Sequence, residues 1–128
     1  MGALALGDNG QKRELEALLA KSVRAMPDDW RVAYDAGMSL FVFAETVDEY
    51  MAAASYFKKA AAHPDAEPKA AFMEARAYHV SDRRDLVIRI WLDLYERSPS
   101  KEAREVAARS LQRLGVDLPS EDKPGGKG

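Results

Sequence analysis

Residues Asp85 to Pro99, DLVIRIWLDLYERSP, carry more apolar side chains than a single covered face can take, which constrains the fold more than any other stretch of the chain. At first sight hydrophobic and charged residues alternate here as in a β-strand. The spacing decides against it. Asp85, Arg89, Asp93 and Arg97 recur every fourth residue with alternating sign, which on a helix builds one polar ladder of i,i+4 pairs. Leu86, Val87, Ile90, Trp91 and Leu94 lie opposite that ladder, and Ile88, Leu92 and Tyr95 form an adjacent apolar row. A helix apolar over most of its circumference must be covered on two sides, so this one needs a neighbour before it and another after it. The ladder then becomes the solvated back of a scaffold.

The rest of the chain supplies such neighbours. Alanine, leucine, arginine and glutamate dominate, and prolines fall between long helix-permissive segments, so the fold class is all-α. The spacing predicts about six helices joined by short turns. The first runs from about Asn9 to Ala25, and the second starts near Asp29, with Asp28 or Asp29 able to accept from free amides, and ends near Ala44 or Glu45. Thr46 and Glu49 fit a capping box that opens a third helix to Ala62. A fourth spans about Glu67 to Val80 with Pro68 in its first turn, and Ser81-Asp82 breaks and caps. The fifth is the opening stretch, and the sixth runs from about Ser100 to Leu114 before Gly115, a left-handed stop. Domain boundaries follow: a flexible lead over 1–8, a helical domain over 9–115 and a flexible tail over 116–128, rich in proline, glycine and charge.

At 128 residues the chain is one domain or a short repeat array, and a net charge of -2 gives no general reason to expect nucleic acid or an anionic membrane as partner. Without cysteine there is no disulfide, thiolate nucleophile or zinc-thiolate site. No segment reaches the roughly 18 to 20 continuous apolar residues of a membrane span, so direct membrane insertion is not expected. The expected location is cytoplasmic, or periplasmic or membrane-tethered if an anchor precedes the first residue. The two histidines, His63 and His79, lack the helical spacing of a metal pair, and no serine sits in a G-x-S-x-G elbow. With no phosphate-binding glycine loop either, no cofactor and no catalytic activity are expected.

A period is visible in the aromatic, small and proline positions. Tyr78, Val87, Trp91 and Pro99 are separated by nine, four and eight residues. In these residues the chain resembles the tetratricopeptide repeat, a helix-turn-helix unit of about 34 residues. The same frame places Ala71, Glu74 and Ala75 at the Trp, Leu and Gly positions of that repeat, of which only Ala75 is a good substitute. The preceding unit offers Ala33, Ala36, Gly37 and Leu40, then Ala53, Phe57 and Ala60, closed by Pro64, with four extra residues that include Thr46 to Glu49. Leu15, Leu19 and Pro27 fit a lone second helix, and Ala107, Ala108 and Leu111 a lone first one. Gly37 and Ala75 would let helices approach closely, while Phe57 and Trp91 fill the grooves between units.

The resemblance implies a right-handed superhelical stack of antiparallel helix pairs, whose concave face binds a protein or peptide partner. Carried over by frame, the groove-facing positions are Arg31, Tyr34, Met38, Phe41 and Val42 in the first full unit and Lys69, Phe72, Arg76, His79 and Val80 in the second. Arg113 joins them from the terminal helix. Tyr34, Met38, Phe41 and Phe72 would offer an apolar floor, and Lys69, Arg76 and Arg113 cations at one end, suited to a partner with hydrophobic anchors and an acidic feature. The alternative is that Met38, Phe41 and Phe72 are core side chains. Met38 stands where the family's carboxylate-clamping members use asparagine, which argues against that partner class. The resulting expectation is a non-catalytic adaptor; a chaperone or assembly subunit of a bacterial secretion or surface-appendage system, and a self-associating homo-oligomer, stay open as alternatives.

Overall fold

The computed structural model describes residues 2–66 and 68–118, with side chains from Gly10 onward. Six helices follow in order: α1 (Gly2–Ala25), α2 (Trp30–Phe43), α3 (Val47–Ala61), α4 (Lys69–Val80), α5 (Arg84–Arg97) and α6 (Lys101–Arg113), with a short 3-10 turn, Pro64–Ala66, ahead of α4. No strand occurs among the described residues. The helix starts are set by side chains. Asp29 accepts the Arg31 N–H at 3.0 Å at the head of α2, and Ser100 accepts the Ala103 N–H at 3.1 Å at the head of α6. The expected capping box closes: Glu49 N–H donates to Thr46 Oγ1 at 3.2 Å, and Thr46 N–H donates to Glu49 Oε1 at 3.1 Å.

Several expectations need correction. α1 begins at Gly2, ahead of Asn9, where the spacing starts the first helix. Pro68 stands at the cap position of α4 rather than in its first turn. Asp82 caps nothing; it takes φ 60° and ends α4, with Arg83 N–H bonding Tyr78 O at 2.9 Å and Asp82 N–H bonding His79 O at 3.0 Å. That is a Schellman stop built on a residue other than glycine. α6 ends in the same way on Gly115, φ 78°, as expected. Packing continues past 115, because Leu118 is buried; residues 119–128 of the expected tail lie outside the described ones.

Each helix packs chiefly on its neighbours in sequence. The central seam is α2 against α3, where Phe57 is fully buried and its ring lies over Gly37. A Cβ added at Gly37 would stand 2.7 Å from two Phe57 ring carbons, so only glycine admits this ring at this depth. Ala53, Ala60, Ala70 and Ala77 are likewise fully enclosed, and their small size lets α3 and α4 close on each other. α5 has the expected neighbours α4 and α6, yet only Val87 and Leu94 are fully buried. Ile88 and Leu92 stay half-open beside Arg89 and Asp93, so the second apolar row is not covered as expected. Of the ladder, Arg97 and Asp93 pair at 3.4 Å, while Asp85 meets Arg83 at 3.9 Å instead of Arg89.

α2 and α4 run side by side in the same direction. Lys69 Nζ lies 5.3 Å from the Tyr34 ring centre, and the Arg76 guanidinium lies 5.9 Å from that of Phe41. Both contacts step forward along both helices with one constant sequence offset, 34 to 69 and 41 to 76. Two helices separated by an intervening antiparallel one must relate in this way.

Candidate functional site

The α4 side chains decide where an open concavity can form. Ala70, Ala71, Glu74, Ala75, Ala77 and Tyr78 are buried against α3 and α5, which turns Phe72, Arg76, His79 and Val80 to another face. α6 does the same with Ala103, Ala107 and Leu111 buried, leaving Ser110, Arg113 and Leu114 toward α4. Between these two sets lies a groove of about 520 Å³, floored by Phe72, Val87 and Trp91, with the Phe72 and Trp91 ring centres 5.5 Å apart. Its cationic side chains are Arg76 and Arg113, and His79 lines it too. Among the described residues no carboxylate lines it and Arg113 has no ion-pair partner. Among the described residues the Arg76 charge meets the face of Phe41, worth about 0.5–1 kcal/mol at an exposed site.

Of the residues expected to share one surface, Phe72, Arg76, His79, Val80 and Arg113 do come together in this groove. Tyr34, Met38 and Phe41 do not add an open floor. All three are half-buried against the cluster around Phe57, with Tyr34 5.6 Å and Phe41 6.4 Å from that ring, and Lys69 and Arg76 lie over the faces of Tyr34 and Phe41. Arg31 is elsewhere: it approaches Asp29 at 3.5 Å and lines a separate hollow with Trp30, His63 and Asp65. Sequence reading missed Ser110 and Leu114, and took Trp91 as a filler between units although it is only half-buried. Fixing the register of α6 from its buried triplet, Ala103, Ala107 and Leu111, would have placed both on the groove side.

Glu74 and Tyr78 form a buried acid pair behind the groove. The Tyr78 hydroxyl donates to Glu74 Oε2 at 3.0 Å, and the two residues are 8% and 4% exposed respectively. Burial raises the Glu74 carboxyl above the ordinary carboxylate value, against the pull of the Tyr78 hydrogen bond and of Lys58, with Asp93 adding to the rise. Burial, and then the Glu74 charge, push the Tyr78 phenol up to about 12. Neither group lines the groove, so the pair is structural. At the α2–α3 corner, Lys12 reaches Glu45 at 2.9 Å and Glu49 at 3.4 Å. Its ammonium is raised first by the Glu45 bond, and Glu49 is lowered first by the Glu45 backbone N–H.

Among the described residues, no three His, Asp or Glu side chains are grouped closely enough to hold a metal ion, and no helix is long and apolar enough to cross a membrane. Comparison with protein families, with curated proteins and with solved structures gives no match to this chain.

Proposed function

We propose that this chain is a non-catalytic binding module of tetratricopeptide type, and that the α4–α6 groove takes a protein or peptide segment carrying an apolar anchor next to a carboxylate. The observation that carries this reading is the lining itself: an aromatic and aliphatic floor, arginines on the walls, and no acidic side chain lining it among the described residues. An anchor seated on Phe72 and Trp91 would be desolvated there, and a neighbouring Asp or Glu would meet Arg76 or Arg113 in charge-assisted hydrogen bonds. The sequence order of helix packing and the parallel relation of α2 and α4 support a stack of helix pairs as its frame.

The test is fluorescence polarisation with two labelled ten-residue peptides that share a Phe and a Leu and differ only in carrying two Asp or two Lys. The Asp peptide is expected to bind, more weakly as salt is raised, and the Lys peptide is not. Arg113→Glu, at an exposed site, should abolish Asp-peptide binding with the helical circular dichroism unchanged. Equal binding of both peptides, or of neither, overturns the reading.

A further inference from the structure

The chain displays the kind of ligand its own groove would accept. At the α2–α3 corner Val42, Phe43 and Val47 are 66%, 58% and 53% exposed, whereas Leu18, Met26 and Val80, the other exposed large apolar residues among those described, lie on separate segments. Exposed Glu45 and Asp48 flank Phe43 and Val47. Among the described residues Lys12 is the cation bound at this corner, and it is already shared between Glu45 and Glu49, so the acidic groups exceed it. The knob is also preformed. Thr46, Glu49 and Lys12 fix the corner through the capping box and the two ion pairs, so docking it orders no loop. The same bonds hold it in place on its own molecule, where Phe43 keeps more than half of its surface exposed.

We propose that the α2–α3 corner of one copy docks into the α4–α6 groove of a second copy, with Phe43 on the Phe72–Trp91 floor and Asp48 toward Arg76 and Arg113. This rests on the groove reading above and names its partner. The occupant follows from complementarity: an apolar, acidic knob and an apolar, cationic hollow on one chain. Corner and groove are different surfaces, so each copy can be held by one neighbour and hold another; the contact is head-to-tail and propagates. A contact of one corner and one groove is small, which places self-association in about the 10 µM to 1 mM range.

Sedimentation velocity and light scattering on the full chain at low salt, over that concentration range, test the proposal. The weight-average mass should climb beyond a dimer and fall back toward monomer in high salt. Phe43→Ser, which removes the anchor, and Arg113→Glu, which reverses the groove charge, should each stay monomeric; Asp48→Lys, at the same corner, should give the same loss. Mixing Phe43→Ser with Arg113→Glu is the decisive arm, since one retains the groove and the other the corner: mass should rise to a dimer and stop. A wild type that stays monomeric throughout, variants that associate like wild type, or a mixture that forms no dimer overturns it. Binding of the Asp peptide by a chain that never self-associates would sink this proposal and leave the groove reading standing.

Discussion

Gly37 lies beneath the Phe57 ring, and two opposing effects act on any change there. Alanine is the better helix former by about 1 kcal/mol. Its Cβ, however, would meet ring carbons at 2.7 Å, and Phe57 is fully enclosed with no room to withdraw. Overpacking of a closed core costs about 1–3 kcal/mol, so Gly37→Ala should lower the urea midpoint despite its propensity gain. Glu74 gives a pH-dependent case. Its carboxyl is raised in the fold, so the folded state holds the proton more tightly than the unfolded chain. The stability this contributes is fully present below the ordinary carboxylate pKa and is lost as pH rises through the raised value. Glu74→Gln removes that titration, so its stability relative to wild type should increase across this window in chemical denaturation at stepped pH. Tyr78, pushed up to about 12, acts in the same direction at the alkaline end, where stability should fall from about pH 10 upward. Glu74 was visible in the sequence as a misfit at an apolar frame position. Its partner was not, because the repeat frame marks Tyr78 only as an aromatic position.

The elements were legible where a local chemical signal exists. Asp29, the Thr46–Glu49 box, Ser100 and Gly115 each bond within a few residues, and such bonds can be read from spacing. Asp82 was misread because a left-handed stop and a cap both favour aspartate, and only the tertiary path of the chain chooses between them. The α4 and α6 stops therefore make a matched pair, one on a residue with a Cβ and one without. Gly115→Ala should cost about 1 kcal/mol by forcing a Cβ into positive φ, whereas Asp82→Gly should gain up to about 1 kcal/mol, less the added freedom of the unfolded glycine. Thermal unfolding of the two variants, followed at 222 nm, should move in opposite directions. The half-open row of Ile88 and Leu92 marks the limit of element-level reading: amphipathicity says that a face seeks cover, and only the neighbours' crossing decides whether it is met.

At the scale of the whole molecule, packing that passes from each helix to the next predicts graded rather than uniform stability. The α2–α3–α4 centre holds Phe57 and most of the fully enclosed alanines, while α6 is joined to the rest mainly through α5. Coupling along such a stack falls off with the number of interfaces between two elements. Leu111 is fully buried at the α6 end, and Leu111→Ala should remove about 2–4 kcal/mol locally by leaving a cavity. The consequence is spatially confined. Native-state hydrogen exchange should quicken through α5 and α6, while amides of α2 and α3, expected to be the slowest, open with a free energy that drops far less. A cooperative bundle with one shared core would instead lose protection equally in every helix. The two outcomes separate the repeat stack from the bundle on a single variant, independently of any partner, because the propagation length is a property of the architecture and not of the groove.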